Sequence, residues 1–166
     1  MKKIVPRKVL KQLFYSFIHS KYTYGIICYG SAYQNQTQRV KNLVSKALKI
    51  VLNCDTLTPE ICKEGGLFDF DMAYDYFCCI NMYRIIQLNY HDFLANKLLS
   101  YQTNHLYETR FSSNENLNLP FFSLSKCQRT FLYKGIKIWN LLPPHLRTVE
   151  DDLNSFKKLL KNHLLS

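Results

Sequence analysis

The stretch TQRVKNLVSKALKIVLN, residues 37–53, contains the most regular hydrophobic pattern of this chain. Its apolar residues recur at i, i+3, i+4, i+7, i+8 and i+11, the spacing of one face of an α-helix. This face consists of Val40, Leu43, Val44, Ala47, Leu48 and Val51. On the opposite side lie Arg39, Asn42, Lys46 and Lys49. The pattern predicts an amphipathic helix whose basic side is either an ordinary solvated face or a phosphate-binding one.

Helical signals also precede this stretch. Residues 7–20 place an apolar face at helical spacing, with Arg7, Lys8 and Lys11 on the other side. That apolar face is formed by Leu10, Leu13, Phe14, Phe17 and Ile18. The aromatic segment YTYGIICYGSA at 22–32 fits helix or strand by its own pattern, and its helical neighbours favour a helix.

Two more helices are predicted between residues 58 and 88. Thr58-Pro59 is a helix start and Gly65-Gly66 a helix end. Residues 69–88 predict a long helix that is apolar on more than one face and therefore buried on several sides. Asp69, Asp71 and Asp75 fall in its first turns, where the helix dipole favours negative charge.

The remaining segments complete a mainly α fold. Further helices are expected at 92–100 and 151–165, and the polar residues 101–119 predict a loop or linker. Short extended pieces are expected around 120–122 and 127–133, so the fold contains at most a short β-hairpin near 120–134.

The net charge of +10 is unevenly distributed. Residues 1–54 carry ten lysines and arginines and no aspartate or glutamate, whereas residues 55–115 carry four basic and nine acidic residues. Residues 116–149 again contain five basic residues and no acidic ones. Such polarisation is typical of proteins that bind a polyanion, above all nucleic acid. A basic patch that only keeps the protein in solution is the alternative.

The six cysteines and five histidines form no recognisable metal site. No Cys-x-x-Cys pair occurs, and the adjacent Cys78 and Cys79 would diverge on a helix. We expect free, buried thiols, no metal and no cofactor. A catalytic Cys/His pair would lack its third, orienting group.

Nothing in the sequence indicates a membrane or secreted protein. No apolar run approaches the ~20 residues of a membrane span, and the N-terminus is no signal peptide. We therefore expect an intracellular protein, in the cytoplasm or nucleus, with no membrane partner and no small-molecule substrate.

The only tryptophan lies in YKGIKIWNLLPPHLR, residues 133–147. Gly135 is expected to free the backbone before a short apolar turn around Trp139. Pro143-Pro144 then stops any helix, because proline has no backbone N–H and restricts the residue before it. This arrangement predicts a structural anchor for the next element.

Read in order, the chain resembles the C-terminal part of reverse transcriptases from jockey-like non-LTR retrotransposons. Five segments carry the resemblance: LKQLFYSFIHSKYTYGIICYGSA (10–32), RVKNLVSKALKIVLN (39–53), YETR (107–110), YKGIKIWNLLPPHLR (133–147) and SFKKLLKNHLLS (155–166). Tyr29 and Glu108 depart from the family pattern, which often has Trp and Asn at these positions.

The resemblance implies that residues 1–54 form a thumb-like basic helical segment packed on a helical C-terminal region. That region comprises a helical post-thumb part (55–100), the polar linker (101–119) and the closing segment (120–166). A thumb grips the primer–template duplex, so the implied partner is an RNA–DNA hybrid or duplex, bound without sequence specificity. The phosphate-contacting residues would be Arg7, Lys8, Arg39, Lys41, Lys46 and Lys49, together with Lys11. The family's structural signature would be carried by Tyr24, Gly25, Gly30, Gly135, Trp139, Asn140, Pro143 and Pro144.

The catalytic centre of such a polymerase is not visible in this sequence. The family holds two metal ions with an aromatic-Ala-Asp-Asp hairpin in the palm and an upstream aspartate. Here the only Asp-Asp pair is Asp151-Asp152, at the start of the last predicted helix, where the helix dipole accounts for it. We therefore expect no polymerase activity from this chain alone, although its parent protein would be an RNA-directed DNA polymerase.

Two other interpretations remain open. In the first, the chain is a helical protein-interaction module whose basic face meets an acidic partner or the missing palm. In the second, it is a decayed transposon copy with no selected function.

Overall fold

The computed structural model describes residues 5–99, 116–149 and 152–166 of the chain. The helices in order are α1 (Arg7–Leu13), a π-helical turn (Phe14–His19), α2 (Ser20–Thr23), α3 (Ile26–Tyr29), α4 (Gln34–Leu52), α5 (Pro59–Gly65), α6 (Phe70–Gln87), α7 (Asp92–Leu99), a 3-10 turn (Cys127–Arg129), α8 (Phe131–Leu141), α9 (Pro144–Arg147) and α10 (Leu153–Leu165). Within the described ranges no sheet forms, so the predicted mainly α fold is confirmed.

The chain divides into two compact units, and the division falls inside α6, between Tyr74 and Asp75. Unit 1 contains the residues up to Tyr74 and the last three residues, 164–166. Unit 2 contains the residues from Asp75 to His163.

Unit 1 is built around α4, and its core confirms part of the predicted apolar face. Val44, Leu48 and Val51 are buried, as the spacing of residues 37–53 predicts. The prediction for Leu43 was wrong, because its side chain is 65% exposed. Asn53, in the left-handed conformation, ends the helix, and its position allows the N–H of Cys54 to reach the Lys49 carbonyl oxygen at 3.1 Å.

The first helical stretch keeps the predicted apolar face on one side, although part of that face is exposed. All five of its predicted apolar residues border one apolar groove beside α4. Phe14 is buried there, whereas Leu13 and Phe17 are exposed. Residues 14–19 form a π-helical turn, which keeps the chain helical between α1 and α2. The spacing therefore predicted the face correctly, but not how much of it is covered.

The aromatic segment after the π turn is helical, as its neighbours suggest. Gly25 joins α2 to α3 with φ +68°, a conformation that side chains with a Cβ rarely adopt. Gly30 ends α3 against the ring of Tyr74, and a Cβ there would also lie 2.6 Å from the Ile26 carbonyl oxygen. Both signature glycines in this segment thus have a structural reason.

The helix signals at 58–66 and 69–88 are confirmed. The Thr58 hydroxyl accepts from the Ile61 N–H at 3.4 Å, Pro59 is the first residue of α5, and Gly66 ends it in the left-handed conformation. Asp69 caps α6 by accepting from the Met72 N–H at 2.8 Å. Along α6 the buried residues occupy several faces: Phe70, Ala73, Tyr74, Cys78, Cys79, Ile80, Met82, Tyr83 and Ile85.

Unit 2 is organised around three buried rings, which we name the Trp139 cluster. Tyr83 stacks on Phe156 with ring centroids 4.3 Å apart, and Trp139 lies 6.2 Å from Phe156. Phe156 and Leu160 are the buried residues of α10. The tryptophan is an anchor, as the sequence indicates.

Gly135 does not lie before a turn, and that prediction was wrong. It lies in the middle of α8, where a Cβ would be 2.8 Å from the Met82 sulfur. Its role is close helix packing. Residues 127–133 are also not extended, because they form the 3-10 turn and the start of α8; the hairpin allowed near 120–134 is therefore not formed.

The segment after Trp139 is held by side-chain hydrogen bonds to the backbone. Asn140 accepts from the Leu117 N–H at 3.0 Å and donates to the Leu117 carbonyl oxygen at 2.7 Å. Pro143 precedes the short helix α9, and Pro144 is its first residue. The prolines therefore end one helix and start the next, as predicted.

Two predictions fall on residues outside the described ranges. The polar linker predicted at 101–119 lies mostly there, together with YETR at 107–110. Asp151 lies there as well, whereas Asp152 caps α10 by accepting from the Asn154 N–H at 2.9 Å and from the Ser155 hydroxyl.

Candidate nucleic-acid interface

The seven predicted phosphate contacts all lie in unit 1, on α1 and α4, but they do not share one environment. Four are exposed: Arg7, Lys8, Arg39 and Lys46. Among the described residues none of these four forms an ion pair. We refer to them as the four exposed cations. Arg39 and Lys46 are seven residues apart and therefore project from the same face of α4.

Lys11 has a structural partner. Its ammonium nitrogen donates to the Gly65 carbonyl oxygen at 2.7 Å, at the C-terminal end of α5. Carbonyl groups at a helix end lack intrahelical partners, and a cation there is favoured by the helix dipole. This contact ties α1 to α5 and leaves Lys11 less available to an external phosphate.

Lys41 is balanced by an acidic residue of the segment that follows residues 1–54. Its ammonium lies 2.6 Å from one carboxylate oxygen of Asp71 and 2.8 Å from the other. The same ammonium lies 5.4 Å from the centroid of the Phe70 ring. The positive charge of residue 41 is therefore locally neutralised.

Lys49 is half-buried and lines a cleft of about 510 Å³ in unit 1. The cleft is bordered by Lys41 and Asn42 of α4, by Thr58 at the start of α5, and by Asp69 and Asp71 at the start of α6. Its lining contains two cations, both from α4, and two anions, both from the start of α6, so it lacks the single-sign potential that attracts a polyanion.

Tyr24 is the signature residue whose position packing does not explain. It follows α2 in an extended conformation, and its side chain is 87% exposed. The other members, Gly25, Gly30, Trp139 and Asn140 among them, have the structural roles described above.

Two buried polar side chains had no signal in the sequence. Thr37 is the first residue of the α4 pattern, yet it is buried, with its hydroxyl 3.4 Å from the Gln34 carbonyl oxygen. Arg147 is 3% exposed and donates to the Asn116 side-chain oxygen at 2.7 Å, while its own carbonyl accepts from Gln87 at 3.2 Å. One of the five cations of residues 116–149 therefore holds the fold of unit 2. A PPHLR segment alone does not distinguish a buried arginine from a surface one.

All six cysteines are free, as expected, but only Cys62, Cys78 and Cys79 are buried, and Cys28 is exposed. Burial, and secondarily the charge of Asp69, raises the pKa of the Cys62 thiol to about 11. Burial also raises the pKa of the Cys79 thiol. These two thiols are therefore protonated near neutral pH and are weak nucleophiles. Within the described residues no group of three or more His, Cys, Asp or Glu side chains is arranged to hold a metal ion.

None of the helices in the described part of the chain combines the length and the apolar content that a membrane crossing requires. No protein-family model, curated protein or solved structure matches the chain.

Proposed function

We propose that this chain is a non-catalytic C-terminal fragment, thumb and post-thumb, of a jockey-like non-LTR retrotransposon reverse transcriptase, and that it binds primer–template nucleic acid. The observation that carries the binding proposal is the set of four exposed cations on α1 and α4. They lie in a 54-residue segment without a single carboxylate. The five sequence segments that resemble the family support the origin. An intracellular location, in cytoplasm or nucleus, belongs to the same proposal.

The geometry of α4 suits contacts to a backbone better than contacts to bases. Arg39 and Lys46 are separated by about 10.5 Å along the helix axis, at 1.5 Å per residue. Flexible cations at such a separation can reach successive phosphates, and phosphate contacts position a protein without reading sequence. The ligand is therefore a duplex or RNA–DNA hybrid of any sequence.

The proposal assigns no polymerase chemistry to this chain. Asp152, the described member of the Asp-Asp pair, accepts hydrogen bonds from Asn154 and Ser155 at the start of α10. A capping role is sufficient to explain that carboxylate.

A salt titration of binding to a labelled RNA–DNA hybrid tests the proposal. Each neutralised phosphate contributes about 0.9 to the slope of log K against log salt, so four contacts predict a slope of about −3 to −4. Affinity that does not change with ionic strength, or no binding at low salt, would contradict the proposal.

Charge reversal locates the surface. Arg39→Glu with Lys46→Glu should abolish most of the hybrid binding, because two phosphate contacts become repulsive. Lys158→Glu with Lys161→Glu is the matched control, since both lysines are exposed, on α10. If the two double variants weakened binding equally, α4 would not be the contact surface and only total charge would matter.

A further inference from the structure

An apolar groove lies in unit 1 between the first helical stretch and α4. It has a volume of about 420 Å³. One wall is formed by Leu10, Leu13, Phe17 and Ile18, and the other by Ala47 and Ile50. Phe14 and Val51 close its floor, because both are buried and also border the groove. All of these lining side chains are apolar.

The large apolar side chains of this groove are left in contact with water. Phe17 is 68% exposed, Ile50 is 65% exposed and Leu13 is 44% exposed. Leu43, as exposed as Ile50, extends the α4 wall by one helical turn, because residues 43, 47 and 50 share one stripe. Contiguous exposed apolar surface of this kind marks interaction sites in proteins that are otherwise well packed.

Exposed cations lie on the two helices that form the groove, beside its apolar walls, and we name them its cationic rim. On α4, Arg39 and Lys46 alternate with Leu43 and Ile50 along one face, at i, i+4, i+7 and i+11. On α1, Arg7 precedes Leu10 by one helical turn. Residues 1–54 contain no carboxylate, and among the described residues none of these three cations forms an ion pair. An occupant of the groove therefore needs an apolar face flanked by negative charges.

The dimensions favour a helix. Leu43 to Val51 spans nine residues of α4, which is eight steps of about 1.5 Å and so about 12 Å along the helix axis. A helix of two to three turns laid along the groove would fill it with apolar side chains at i, i+3 or i+4, and i+7. Its flanking Asp or Glu residues would meet Arg7, Arg39 and Lys46.

We propose that this groove is a docking site for an amphipathic helix with acidic flanks, supplied by another protein. The proposal goes beyond nucleic-acid binding and does not depend on it. A second copy of this chain fits less well, because two such grooves placed face to face would bring their cationic rims together. A sugar–phosphate backbone fits the rim but finds no hydrogen-bond donor among the apolar lining side chains.

The experiment uses the full chain and a fluorescein-labelled synthetic peptide of about 16 residues. The peptide has Leu at i, i+3, i+4 and i+7 positions, Glu on both flanks and Ala elsewhere. Fluorescence anisotropy should show saturable binding that weakens with salt. A scrambled peptide of the same composition should bind at least about tenfold more weakly, because it presents no continuous apolar face.

The variant Phe17→Ser with Ile50→Ser removes apolar groups from both walls. It should weaken peptide binding at least about tenfold and leave the hybrid affinity unchanged. Phe93→Ser with Phe121→Ser is the matched control, because these phenylalanines are exposed and do not border the groove. Leu43→Glu is a second variant at a mostly exposed position and should repel the acidic peptide. Circular dichroism establishes that each variant is folded.

Several results would overturn the proposal. Equal binding of the scrambled peptide, no peptide binding, or peptide binding insensitive to Phe17→Ser with Ile50→Ser would each do so. If the same double variant abolished hybrid binding instead, the groove would belong to a nucleic-acid surface. If sedimentation showed a self-association lost in that variant, the occupant would be a second copy. Peptide binding without hybrid binding would leave this proposal intact and contradict only the proposed function.

Discussion

In the Trp139 cluster all three rings are buried and each meets another ring, whereas along the apolar groove of unit 1 comparable side chains face water. Both regions are built from helices with regular apolar spacing. In the Trp139 cluster, Phe156 is covered by Tyr83 and Trp139 from other helices. In the groove, Phe17 and Ile50 lie on the two walls with no third element of unit 1 above them among the described residues. The same helical pattern therefore stabilises one unit internally and leaves an exposed apolar surface on the other.

The largest expected effect tests this difference directly. Trp139→Ala should lower the free energy of unfolding by about 3–5 kcal/mol, because it opens a cavity beside Phe156. Phe17→Ala should change it by no more than about 0.5 kcal/mol, since an exposed ring contributes little to stability. Urea unfolding followed by circular dichroism measures both. If both variants lost the same free energy of unfolding, the groove would be covered in solution. The difference between the Trp139 cluster and the groove would then not exist.

The next effect concerns the backbone next to the Trp139 cluster. Asn140→Ala should cost about 2–3 kcal/mol, because both the N–H and the carbonyl of Leu117 lose their partner. Asn140→Asp should recover little of this loss, because its second carboxylate oxygen would face the Leu117 carbonyl oxygen with no proton between the two acceptors. Asn162→Ala on the exposed side of α10 is the control and should be neutral. An unchanged stability for Asn140→Ala would show that Leu117 is not held by this side chain.

A third test asks whether unit 1 is close-packed where it is buried. Gly30→Ala should cost about 1–2 kcal/mol, because the new Cβ meets the Tyr74 ring and the Ile26 carbonyl. Gly25→Ala should also destabilise the protein. The cause there is the backbone φ of +68°, which is unfavourable for residues with a Cβ, and not a lack of space. Asn tolerates that conformation, so Gly25→Asn should recover part of the loss and Gly30→Asn none. Recovery at both positions in thermal unfolding would contradict the packing explanation for Gly30.

A fourth and smaller effect separates paired from unpaired cations. Lys41→Gln should cost less than about 1 kcal/mol of stability, because its ion pair with Asp71 is partly exposed and screened. It should also change hybrid affinity less than Lys46→Gln does. Removing the exposed Lys46 cation should lower the salt slope of hybrid binding by about 0.9. Anisotropy titrations at several salt concentrations measure both variants. A larger effect at Lys41 would place the nucleic acid near the cleft and not along the outer face of α4.

The smallest effect is the pH dependence of the α10 cap. The hydrogen bond from the Ser155 hydroxyl, and then the backbone N–H groups of Asn154 and Ser155, lower the pKa of the Asp152 carboxyl. A lowered pKa in the folded state stabilises the fold above the pKa of the unfolded chain, and this contribution is lost as pH falls through the folded-state value. Asp152→Asn should therefore be slightly less stable than the wild type at neutral pH and should converge with it in acid. A constant difference across that range, measured by thermal unfolding, would contradict this role.

Much of the secondary structure could be predicted because helix signals are local. Thr58-Pro59 marks where α5 begins, and Gly65-Gly66 marks where it ends. The period of residues 37–53 indicates which side of α4 is apolar. The candidate nucleic-acid interface was predicted less completely. Lys41 contacts Asp71, 30 residues away in the chain, and Lys11 contacts Gly65, 54 residues away. No local sequence pattern contains such contacts.

Local patterns were enough to establish a mainly helical chain with a carboxylate-free, basic leading segment. Long-range packing was needed to establish which apolar faces are covered, which cations remain exposed, and that Gly135 serves packing and not a turn. The physical reason is that helix formation depends on hydrogen bonds and propensities within a few residues, whereas burial and charge pairing depend on which distant element lies opposite. The first helical stretch shows both at once, because its local spacing places Phe14 and Phe17 on one apolar side, whereas packing buries Phe14 and leaves Phe17 exposed.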